Sequence, residues 1–69
     1  MTNSTIKNIQ ENIKKFRKEQ NLTQEKLSEL CGISTDYLSE IERGKKVPSL
    51  KRLISIVEAL NVPISKFFE

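Results

Sequence analysis

The sequence has no histidine, and its only cysteine is Cys31. Lack of histidine removes the commonest metal ligand and the usual acid–base side chain at neutral pH. A lone cysteine can form neither an internal disulfide nor a metal-ligand cluster, so Cys31 reads as a small core residue. With no His, no Cys pair and no glycine-rich phosphate loop, no nucleophile–base set can be assembled. No enzymatic activity, metal, cofactor or small-molecule ligand is therefore expected. Apolar runs are short as well. None nears the roughly 20 residues of a membrane helix, and the opening MTNSTIKN has no signal-peptide core. These absences predict a soluble, cytoplasmic protein with no membrane partner.

Sixty-nine residues allow one domain at most, here 1–69. A chain this short buries only about 60% of its unfolded surface, so it must rely on tight packing, good caps or a partner chain. Net charge is +3, unevenly spread. Residues 1–22 set five cations against Glu11 and Glu19. Residues 23–42 set Lys26 alone against Glu25, Glu29, Asp36, Glu40 and Glu42. Residues 43–52 hold Arg43, Lys45, Lys46, Lys51 and Arg52 with no acid. The first basic block fits an ordinary solvated helix face. The second points to a polyanion.

Apolar spacing is helical throughout, and no segment alternates with period two, so no sheet is expected. Ile6, Ile9, Ile13 and Phe16 form one stripe, predicting a helix from about Thr5 to Glu19. Thr23 is an N-cap for a short helix over Gln24–Cys31, stopped by Gly32. Leu22 and Leu27 flank this cap as a hydrophobic staple, and Leu27, Leu30 and Cys31 are read as its inward face. The same syntax recurs with Ile33, the cap Ser34, Leu38 and Gly44, predicting a helix over Thr35–Arg43 with Leu38 and Ile41 inward. Pro48 and the cap Ser49 open a fourth helix with Leu50, Leu53, Ile54, Val57 and Leu60 as its stripe. Pro63 starts a fifth, Ile64–Phe68. No cap has Glu or Gln three residues on, so the full capping box is missing.

Two short helices joined by a tight glycine turn are a helix-turn-helix arrangement, here about residues 23–43. Thr23-Gln24, Gly32, Ile33-Ser34, Ile41-Glu42-Arg43-Gly44 and Pro48-Ser49-Leu50 resemble, in register, the phage-repressor/Cro-type helix-turn-helix family over about residues 6–68. Ser28 departs from the pattern, which usually has alanine there. The resemblance implies an all-α, compact, lambda-repressor-like bundle of five helices whose third lies in the DNA major groove. It also implies a transcriptional regulator: a phage-type repressor, a restriction-modification controller or a small autoregulator such as an antitoxin. Double-stranded DNA is then the expected partner. A second class remains open, a protein-interaction module or antitoxin-type partner-binding protein using its acidic face.

With Leu38 and Ile41 inward, the opposite face of the third helix carries Thr35, Asp36, Ser39, Glu40 and Arg43. The N-terminal part of a recognition helix reaches base edges, which makes Thr35 and Asp36 the first candidates as readers, with Ser39 and Glu40 behind. A carboxylate there can accept from a cytosine amino group, but phosphates repel it. Plain solvent-facing charge is the other reading of Asp36 and Glu40. Affinity must then come from Arg43, Lys45 and Lys46 at the helix exit, and from Ser49 and Lys51 at the start of the fourth helix. Gln24 is a phosphate-contacting position in the resembled family. Tyr37 reads either as a phosphate donor or as half-buried packing.

Glu42, four residues after Leu38, sits at the edge of the buried stripe and needs a partner. Arg17 sits at the edge of the first helix's stripe, and the resembled family often joins these two positions. An Arg17–Glu42 salt bridge is expected. Phe67 and Phe68 are adjacent and cannot easily share one core. One is expected to fill a gap between helices one and four, and the other to join Val62 or Ile64 in an apolar homodimer patch. Together Val62, Ile64, Phe67 and Phe68 are the interface candidates, with a simple cap on the core as the alternative.

Overall fold

The computed structural model describes residues 3–69. Four α-helices, α1 (Asn3–Glu19), α2 (Gln24–Cys31), α3 (Thr35–Glu42) and α4 (Leu50–Leu60), are followed by a 3-10 helix, Ile64–Phe68. No strand occurs among the described residues. Among them, too, no helix is long and apolar enough to cross a membrane. The expected fifth helix is thus a 3-10 turn. Its amide bonds close over three residues, Lys66 N–H to the Pro63 carbonyl at 3.0 Å, the tighter form that short terminal segments adopt. α1 begins two residues before the expected Thr5. α3 ends one residue early, leaving Arg43 as its cap.

The helix boundaries come from local chemistry. Thr23, Ser34 and Ser49 each accept a bond from the amide three residues on, at 3.0, 3.0 and 3.2 Å. The first three helices stop in the same way. Asn21, Gly32 and Gly44 take left-handed backbone conformations. The following amide then reaches back to the last turn: Leu22 to Arg17, Ile33 to Ser28 and Lys45 to Glu40, satisfying orphan carbonyls. Leu22 and Ile33 pack on the core as they do so. One apolar residue therefore closes one helix and opens the next, and the connectors stay short. Asn61 ends α4 in the left-handed region as well, a stop that carries no glycine.

The core gathers Ile9 and Ile13 of α1, Leu27 of α2, Leu38 and Ile41 of α3, Leu53, Ile56, Val57 and Leu60 of α4, and Phe67. α2 packs on both α3 and α4, while α1 packs on α3, α4 and the 3-10 helix. Phe67 is fully buried, its ring edge-on to Phe16 at 4.9 Å and 76°, a geometry worth about 0.5–1.5 kcal/mol beyond burial.

Three apolar assignments are corrected. Leu30, Leu50 and Ile54, expected on inward stripes, are exposed, Leu50 to 70%, while Ile56 is fully buried. In α2 the neighbours α3 and α4 sit on the Leu27–Ser28 side. In α4 the inward face is set by Leu53, Ile56, Val57 and Leu60.

Gly32 has φ +70° and open space where a Cβ would stand. The penalty of Gly32→Ala is therefore backbone conformation alone. We expect a loss of roughly 1–2 kcal/mol in urea unfolding, and a smaller loss for Gly32→Asn. An alanine variant as stable as the parent would contradict this account of the turn.

Candidate nucleic-acid interface

The third helix is placed by what its inner face buries. Leu38 and Ile41 are fully buried, which turns Asp36 fully outward and leaves Thr35, Ser39 and Glu40 partly exposed. These are the four residues read as base contacts, and they do share one face. Their surroundings differ. Asp36 is open to solvent. Glu40 lies 3.3 Å from the Lys46 ammonium. The Thr35 hydroxyl lies 3.0 Å from that of Ser28 on α2.

The basic loop folds against the end of this helix. Lys45 and Lys46 both donate backbone amides to the Glu40 carbonyl, at 2.8 and 3.2 Å. Arg43 curls back to the Ser39 carbonyl at 3.4 Å. The Lys46 ammonium stands 5.8 Å from the centre of the Tyr37 ring, within cation–π range. Tyr37 is half-buried and packs on the core. Among the described residues no acid pairs with Arg43, Lys45, Lys51 or Arg52, and all four are exposed. Ser49 accepts the Arg52 amide as a cap, so its own proton is left to donate.

Arg17 and Glu42 meet as a forked pair, Nε to Oε2 at 2.7 Å and Nη2 to Oε1 at 3.0 Å. Their side chains are 9% and 2% exposed. Arg17 also donates Nη1 to the Leu22 carbonyl at 2.6 Å. Gln24, read as a phosphate contact, donates Nε2 to Glu42 Oε1 at 3.0 Å. Its side chain is thus engaged inside the protein, as a third donor to the buried carboxylate.

Sequence reasoning passed over Gln10. It is buried, and its Nε2 donates to the Lys46 carbonyl at 2.8 Å. Its signal was spacing: Gln10 precedes Arg17 by seven residues, two helical turns, so both lie along the edge of α1 that meets α3 and the basic loop. Asn12 does the same for the C-terminus, donating to the Phe67 carbonyl at 2.9 Å.

The apolar C-terminal candidates separate. Ile64 and Phe68 are 41% and 43% exposed and Val62 is half-buried. Phe67 is sealed in the core, so it is withdrawn from the interface set. Cys31 is half-buried, and burial pushes its thiol above the ordinary range. That disfavours the thiolate a reactive cysteine needs.

Comparison with known proteins agrees with this geometry. Residues 13–67 match a family described as helix-turn-helix. The chain is 34% identical over 58 residues to control protein C.SmaI of Serratia marcescens, covering 84% of this chain and 69% of that one. It is 40% identical over 57 residues to the immunity repressor protein of Bacillus phage phi105, covering 83% of this chain and 40% of that one. It is 45% identical over 49 residues to the transcriptional regulator ClgR of Mycobacterium tuberculosis, covering 71% and 44%. The chain belongs to the helix-turn-helix family of DNA-binding transcriptional regulators that includes phage repressors and control proteins. It spans less than half the length of the immunity repressor and of ClgR, and about two thirds of the control protein.

Truncating one member of the buried pair strands the other. Glu42→Ala is expected to cost about 3–5 kcal/mol in denaturant unfolding. The double variant Arg17→Met with Glu42→Leu should recover most of that loss. A Glu42→Ala cost below about 1 kcal/mol, the range of exposed pairs, would contradict burial of the pair.

Proposed function

We propose that α3 enters the major groove of an operator as a recognition helix, one from each protomer of a homodimer on a palindromic site. Thr35, Asp36 and Ser39 read base edges, with Glu40 behind them. Arg43, Lys45, Lys46 and Lys51 hold phosphates, as do the free Ser49 proton and the Tyr37 hydroxyl. The observation that carries this reading is a juxtaposition: an outward face of hydroxyl and carboxylate groups on α3, followed at its exit by Arg43 and Lys45, which no acid among the described residues neutralises.

The division of labour follows from electrostatics. Acids on the groove face discriminate between base pairs but are repelled by the backbone. Lysine and arginine at the helix exit supply affinity to any duplex. Gln24 gives one amide N–H to Glu42, and its second N–H is left to hold a phosphate. The same reading places the protein in the cytoplasm with its operator.

A dimer is favoured by size. The chain's longest extent is 29 Å, less than the roughly 34 Å between half-sites one helical turn apart. Exposed Ile64 and Phe68, with Val62, form the apolar patch available for pairing.

Binding to duplex DNA should weaken steeply with salt, log affinity falling linearly with log salt. Lys45→Ala should weaken all duplexes alike and reduce the slope by about one. An affinity unchanged from low to high salt would sink the phosphate mechanism and favour a protein-interaction module. Separately, Ile64→Glu should leave the helical circular dichroism spectrum unchanged, since the side chain is largely outside the core, yet shift sedimentation from dimer to monomer. A dimer that persists at low micromolar concentration would move the interface elsewhere.

A further inference from the structure

Ser28 is buried at the crossing of α2 and α3, and its hydroxyl makes two contacts. One is to the Glu25 carbonyl at 2.8 Å, the other to the Thr35 hydroxyl at 3.0 Å. A hydroxyl carries one proton, and a carbonyl can only accept. Both contacts are satisfied together only when Ser28 donates to Glu25 and Thr35 donates to Ser28. Thr35 opens α3 and is partly exposed. With its proton committed inward, it has only lone pairs left to offer outward.

We propose that Ser28 is a specificity-determining positioning residue: it sets the hydrogen-bond polarity of Thr35, so that α3 begins with an acceptor. Every base pair carries one exocyclic amino group in the major groove, so that acceptor selects the strand that bears it: adenine (N6) or cytosine (N4) at the base Thr35 reaches. Guanine N7 and O6 and thymine O4 are acceptors, and they find no donor in Thr35. Asp36, the next residue, is an acceptor too, so the leading edge of the helix speaks to amino groups alone. This inference rests on the groove reading above and assigns the class of base edge that it meets.

The test selects bound duplexes from a random pool with the full chain in four forms: parent, Ser28→Ala, Thr35→Val and the double variant. The parent motif is expected to hold adenine or cytosine at one step of each half-site, and Thr35→Val to erase that preference. Ser28→Ala frees the Thr35 proton. It should lower the preference at that step by about tenfold, the scale of one hydrogen bond, and admit guanine or thymine. In the Thr35→Val background the same Ser28→Ala change should alter nothing further there. Ser28→Cys keeps the volume with a weak acceptor, so it should relax the same step, and it carries the test if the alanine variant fails to fold.

An unchanged preference in the folded Ser28 variants would overturn the inference. So would a Ser28 effect that persists without the Thr35 hydroxyl, because that effect would be structural. A parent motif indifferent to Thr35→Val would overturn it while leaving the groove reading intact. A parent that selects no motif would overturn both.

Discussion

The Glu42 carboxylate is the point on which the arrangement turns. It ends α3 inside the protein, where an unpaired charge would cost several kcal/mol. Three donors converge on it, two from Arg17 and one from Gln24, and Arg17 extends the network to the Leu22 carbonyl. The network thus touches α1, the connector after it, the start of α2 and the end of α3. Apolar residues of equal volume could hold these elements as firmly. They could not match the direction imposed by a planar fork on a carboxylate. Direction matters here because the residue after Glu42 begins the basic loop, and Gln10 holds that loop's far side at Lys46.

This changes how the acidic middle of the chain is understood. Counted along the sequence, the helix-turn-helix would repel DNA. In the folded protein, Glu42 is buried against Arg17, and Glu40 is 3.3 Å from Lys46. Asp36 alone of the three acids in α3 faces outward without a cation beside it. The repulsion is thereby confined to the first turn of α3. Beyond the helix exit, Arg43, Lys45, Lys51 and Arg52 have no acid partner among the described residues.

Some of this was legible in the residues. Each cap and stop acts over three or four positions, so Thr23, Ser34, Ser49, Gly32 and Gly44 could be placed without knowing the fold. Glu42 and Arg17 could be paired because both lie at the edges of apolar stripes. Other features depend on neighbours far along the chain. Leu30 and Leu50 sit at helical spacing from buried residues, but a short helix has more apolar positions than buried faces, and its packing partners decide which are covered. Phe67 and Phe68 are chemically equal. The 3-10 pitch starting at Pro63 sends Phe67 onto Phe16 and leaves Phe68 outside. The bond from Gln24 to the Glu42 oxygen was not legible, because it joins the start of α2 to the end of α3.

The order of the four helices, the all-helical class and the charge asymmetry were determined by the sequence itself, because capping, left-handed stops and 3.6-residue spacing are short-range effects. Tertiary structure decided which apolar residues are buried, which acids are neutralised and how Ser28 meets Thr35. Those depend on distances between residues far apart in the chain, and such distances exist only once the helices have packed.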